Sequence, residues 1–136
     1  MLIKDQIQRI NTIYSDEILT QNTRTISLTG RKCQPRIIYT FLGFELQAGR
    51  KRINCPDMNT ARYLKIFSEL GMPSIEIPYN PIQINQVLSE LEQGLEAIKK
   101  LLLAENLDKK QHQFKLRKLY KEIRAQLRQS ETQTKT

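Results

Sequence analysis

The apolar residues between Asn80 and Leu127 follow a helical repeat. Ile84, Leu88, Leu91, Leu95, Ile98 and Leu102 recur at spacings of 4, 3, 4, 3 and 4, which places all six on one side of an α-helix. Asn80 can cap that helix, Pro81 suits its first position, and Gln83 is placed to reach back toward the cap. After Glu105-Asn106-Leu107-Asp108, a second series (Leu116, Tyr120, Ile123, Leu127) repeats at 4, 3 and 4. Two long helices with a short loop between them predict an antiparallel hairpin.

Upstream the periodicity is mixed. Ile3, Ile7, Ile10 and Tyr14 mark an amphipathic helix over residues 3–14, which Ser15-Asp16-Glu17 either ends or extends toward Leu19. The alternating, β-branched stretch 25–29 reads as a strand. Ile37 to Leu42 reads as a second strand, apolar on both faces and therefore expected in the centre of a sheet. Gly43 suggests a bulge or break before Phe44-Glu45-Leu46. Ala48-Gly49-Arg50 reads as a tight turn into a strand over 51–55. Asp57 or Asn59 can cap a helix that buries Ala61, Leu64, Ile66, Phe67 and Leu70 and stops at Gly71. Ser74 to Pro78 forms a short extended segment, confined by Pro78 to an edge or a strand end.

The expected fold class is α+β, with a small antiparallel sheet of three or four strands packed with helices, plus the C-terminal helical hairpin. The expected domains are an α+β core with its N-terminal helix over residues 1–80, the hairpin over 81–129, and a disordered tail over 130–136. The tail (QSETQTKT with Gln129) has no apolar anchor and should fray.

Charge gives the first functional indication. With 22 Lys and Arg against 14 Asp and Glu, the chain carries +8 at neutral pH, a field that draws in polyanions. The charge is unevenly distributed. Residues 81–108 hold two Lys/Arg and five Asp/Glu, whereas residues 109–136 hold nine and two. Facing positions across the hairpin would pair Glu96 with Arg117 and Glu92 with Lys121, leaving Lys109, Lys110, Lys115, Lys118, Arg124 and Arg128 in surplus. Residues 23–65 form the other concentration, nine Lys/Arg against two Asp/Glu. Its densest point is Arg50-Lys51-Arg52 at the suspected turn, with Arg31, Lys32 and Arg36 near the opposite connection.

These cations imply DNA or RNA as partner, held by phosphate contacts from Arg50, Lys51, Arg52, Arg31, Lys32 and Arg36 and from Lys118, Arg124 and Arg128. The competing expectation is a protein interaction in which the seam Ile84, Leu88, Leu91, Leu95, Ile98 and Leu102 dimerises or docks a partner protein. Gly94, within that helix, would permit close approach of a neighbouring helix. Tyr39, Phe41 and Phe44 lie among the cations but read as core residues, with Tyr39 the best exception.

Catalytic patterns are sparse. His112 is the sole histidine, and Cys33 and Cys55 lack zinc-ligand spacing. No glycine-rich phosphate cradle occurs. Glu45, Asp57, Glu69 and Glu76 are scattered over different elements, which argues against a metal-dependent nuclease. The expectation is a non-enzymatic, cofactor-free chain. No apolar run approaches membrane-spanning length, no apolar leader follows Met1, and the two cysteines suit a reducing compartment. The expected setting is therefore the cytoplasm, without membrane contact.

Overall fold

The computed structural model describes residues 2–28 and 34–135. The elements are α1 (Ile3–Thr12), continued by a π-helical segment (Ile13–Ile18), β1 (Thr23–Ser27), β2 (Arg36–Thr40), β3 (Gly43–Ala48), β4 (Lys51–Cys55), α2 (Met58–Glu69), β5 (Ser74–Pro78), α3 (Pro81–Leu103) and α4 (Lys109–Lys135). The fold is α+β: small antiparallel sheets packed with helices, and a long C-terminal helical hairpin. The chain divides into two compact units. Residues 1–20 and 89–136 form one, and residues 21–88 form the other.

This division departs from a boundary at residue 80. α1 belongs with α4 and the larger part of α3 rather than with the strands, because its apolar stripe is buried there. Ile7, Ile10, Ile13, Tyr14 and Ile18 are buried, as are Leu91, Leu95, Ile98, Leu102, Ile123 and Leu127. Gly94 makes room for α1: a Cβ built on it would stand 3.0 Å from Cγ1 of Ile10. The tail differs as well. α4 runs to Lys135, through the segment expected to fray, because polar bonds anchor it. The fully buried Tyr14 donates its hydroxyl to Oε1 of Glu131 at 2.6 Å. Ser130, itself buried, donates to Oδ1 of Asn11 at 3.0 Å.

In the other unit the strands form two sheets rather than one. β1 pairs antiparallel with β5, placing Thr25 opposite Glu76. β2, β3 and β4 form an antiparallel meander with β3 in the middle. β2 is thus an edge strand, and the apolar run expected to continue through Leu42 turns instead. Thr40 pairs with Gly43 around Phe41 and Leu42. The Thr40 hydroxyl accepts from the Leu42 N–H and donates to the Gly43 carbonyl, both at 3.2 Å. Gly43 takes a φ of 117° that a side chain would oppose.

α2 begins as its sequence requires, with Oδ1 of Asp57 accepting the Thr60 N–H at 2.7 Å. Its apolar face, with Ala61, Leu64, Ile66, Phe67 and Leu70 buried, covers the meander. α3 is capped by Asn80, whose Oδ1 accepts the Ile82 N–H at 2.9 Å. Gln83 does not fold back to complete a capping box; its amide reaches Oε1 of Gln21 at 2.6 Å. α4 carries the reciprocal cap instead. Oδ1 of Asp108 accepts the Gln111 N–H at 2.8 Å, and Oε1 of Gln111 accepts the Asp108 N–H at 3.3 Å.

Candidate nucleic-acid interface

α4 separates its residues cleanly by face. Ile123, Leu127 and Ser130 are buried, and Leu116, Leu119 and Tyr120 on the same side are half-buried. At about 3.6 residues per turn, Lys110, Arg117, Lys118, Lys121, Arg124 and Arg128 fall together on the opposite side, within about a third of the circumference. Phe114 lies among them, exposed. The helix has two acids between Lys109 and Lys135, Glu122 and Glu131, and this spacing puts both outside the basic sector. Glu131 is further engaged by the Tyr14 hydroxyl. From Lys110 to Arg128 the sector extends about 27 Å, at about 1.5 Å of rise per residue.

The ion pairs expected to neutralise part of this face are placed elsewhere. Across the turn of the hairpin it is Lys115 that pairs with Glu105. Arg117 and Lys121, expected to be spent on Glu96 and Glu92, are exposed. Among the described residues Lys110, Arg117, Lys118, Lys121 and Arg128 have no carboxylate partner. Arg124 is half-buried and held by contacts of the protein itself. Of the three cations anticipated on this helix, Lys118 and Arg128 are open and Arg124 is partly engaged. Lys110, Arg117 and Lys121 complete the stripe. Applying the helical period to the cations as well as to the leucines would have found them.

The second group behaves differently. Arg50-Lys51-Arg52 surrounds the β3–β4 turn, where Gly49 has a φ of 62°, as a two-residue hairpin of this kind requires. Successive side chains of a strand point to opposite faces, so the three cations separate. Lys51, opposite Ala48, donates to the Ser27 hydroxyl at 3.0 Å. Arg52 lies on the other face, opposite Gln47, with its Nε 3.6 Å from Oε1 of Glu45. Arg50 is exposed in the turn. Arg36 pairs with Gln47 from the other side, so Arg36, Gln47 and Arg52 cross the meander in a row on its open face. Arg36 is exposed and has no ion pair among the described residues. Arg31, Lys32 and Cys33 lie outside the described residues.

The seam residues Ile84, Leu88, Leu91, Leu95, Ile98 and Leu102 are all buried. They form interior of the folded chain and present no apolar strip to a partner, because the packing of the chain itself covers that side of α3. One of the aromatic residues read as core departs from expectation. Phe41 is fully exposed, because the turn at Thr40–Gly43 carries it past the end of β2, whereas Tyr39, the anticipated exception, is 78% exposed within the edge strand, opposite Phe44.

Among the described residues, no three of His, Cys, Asp and Glu come together as a metal site would require. Asp57 caps α2, Glu45 faces Arg52, and Glu76 accepts the hydroxyls of Thr23 and Thr25. Cys55 is buried, and burial, reinforced by the negative charge of Asp57, pushes its thiol pKa up against the smaller opposing effects of the Leu46 backbone and Arg24. A thiol so placed stays protonated and is a poor nucleophile. Among the described residues no helix is long and apolar enough to cross a membrane.

The fold and this face define a small basic α+β protein with a cationic helix surface. Comparison with known proteins returned no match to a family model, to a curated protein or to a solved structure.

Proposed function

We propose that this protein binds nucleic acid without catalysing a reaction on it, chiefly through phosphate contacts from the outer face of α4. The observation that supports this reading is the acid-free basic sector of α4, with five exposed cations lacking carboxylate partners among the described residues. A solvated helix face that serves only solubility normally intersperses both signs. Here one sign is gathered along about 27 Å, a linear source of potential matched to a polyanion backbone. Contacts of this kind position a protein without reading bases, so binding is uniform across sequences. The open cations of the meander, Arg36 and Arg50, add a smaller contribution of the same kind.

An electrophoretic titration with generic DNA and RNA, competed with polyglutamate, tests the reading. The expected result is a shift at low micromolar protein or below that excess polyglutamate does not abolish. The absence of any shift, or complete displacement by polyglutamate at equal charge, would contradict it.

A further inference from the structure

The apex of the β2–β3 hairpin is built in a way that solubility does not explain. Tyr39, Phe41 and Leu42 are 78%, 109% and 85% exposed, three large apolar side chains within four residues. Contiguous exposed apolar surface in a soluble chain marks a binding site more often than scattered single residues do. The apex is also held in shape. The Thr40 hydroxyl bridges the turn through the Leu42 N–H and the Gly43 carbonyl. Phe44 meets the Tyr39 ring edge-on, with centroids 5.4 Å apart and planes at 73°. Tyr39 is therefore braced from one side while most of its surface faces water.

Between Tyr39, Thr40 and Phe41 lies an open cleft of about 420 Å³. We infer that this cleft stacks bases of single-stranded nucleic acid on Tyr39 and Phe41. This rests on the nucleic-acid reading above and narrows it to a strand whose bases are unpaired. The occupant must be planar and apolar, and it must also suit a basic neighbourhood. The unit holding the hairpin carries nine Lys/Arg against four Asp/Glu, a net positive charge. Unpaired bases joined by phosphates satisfy both demands; the bases of a duplex are stacked on one another and out of reach. Tyr39, braced in advance by Phe44, loses little freedom on binding, which favours affinity.

Phe41→Trp keeps a stacking ring and adds the only tryptophan of the chain. Its emission should be quenched by single-stranded oligonucleotides and left unchanged by blunt duplex. In parallel, Tyr39→Ala with Phe41→Ala should weaken single-strand binding by roughly tenfold or more, as loss of stacking does, while duplex affinity stays within twofold. Both side chains are solvent-exposed, so an unchanged circular dichroism melt establishes that the variant is folded.

Equal single-strand affinity in wild type and double variant would overturn the inference. So would a blue shift in the emission of the Phe41→Trp variant on anionic vesicles without quenching by oligonucleotides, or concentration-dependent dimerisation by light scattering that the double variant abolishes. The α4 reading fails separately: if the wild type binds neither single strands nor duplex, the helix assignment falls and the stacking site with it. If the double variant matches wild type while reversal of the α4 cations removes binding, only the stacking site falls.

Discussion

α4 and the β3–β4 turn both carry dense positive charge, and the fold treats the two in opposite ways. In the turn, three consecutive cations are dispersed: Lys51 to one face against Ser27, Arg52 to the other beside Glu45, Arg50 to the apex. In α4, cations separated by gaps of seven, one, three, three and four residues are merged onto one side. The cause is periodicity. A strand alternates every residue, so adjacent charges diverge. A helix returns every three to four residues, so spaced charges converge. A run of Arg and Lys attracts notice in a sequence, but the spaced set builds the stronger surface.

Reversing Lys110, Arg117, Lys121 and Arg128 to Glu should bear hardest on this contrast. The expected loss of affinity for generic oligonucleotides is on the order of a hundredfold or more at 0.1 M salt, measured by fluorescence anisotropy. A loss below tenfold would erase the distinction between the two regions.

Stability of the helical unit comes next. Removing residues 130–136 takes away Ser130 and the Glu131 acceptor of the buried Tyr14 hydroxyl, and should lower stability by about 1–3 kcal/mol in urea denaturation. A frayed tail would cost nothing. Gly94→Val should cost a similar amount, about 1–3 kcal/mol, because Ile10 packs where the new side chain would go.

The reversal Arg50→Glu, Lys51→Glu, Arg52→Glu should act more weakly, by less than about tenfold in affinity, since two of the three cations are tethered and each exposed pair contributes about 0–1 kcal/mol. A loss matching that of the α4 variant would show that dispersal over two faces does not matter. The smallest effect concerns Cys55. Its raised pKa leaves less thiolate at neutral pH than a free cysteine has, so alkylation followed by peptide mapping should be slower near pH 7 than for a free cysteine and should accelerate at higher pH than a free cysteine needs. Rapid modification at neutral pH would place Cys55 outside the core.

What the sequence disclosed follows the range of the interactions involved. The α3 and α4 repeats, the caps at Asp57 and Asn80, and the buried face of α2 are local patterns, and each is found where its spacing puts it. Gly94 was legible as a site of close approach, and Ile10 is the residue that approaches. The pairing of β1 with β5 was not legible, because nothing local in Thr23–Ser27 indicates a partner some 50 residues away. The order of α4's last turns was hidden too. Asn11, Tyr14, Ser130 and Glu131 hold it by hydrogen bonds, which an apolar period does not register. Phe41 and Leu42 misled in the other direction: strongly apolar residues imply a central strand, and only the bond pattern of Thr40 reveals a turn.

The dependence of affinity on salt examines the outer face of α4 most directly. Titration of the intact chain with a generic oligonucleotide between 50 and 300 mM salt should give a log–log slope of about −3 to −5, the value for roughly five neutralised phosphates. The Lys110, Arg117, Lys121, Arg128 reversal should bring that slope close to zero. A wild-type slope near zero, or one that this variant leaves unchanged, would contradict the assignment of binding to that helix.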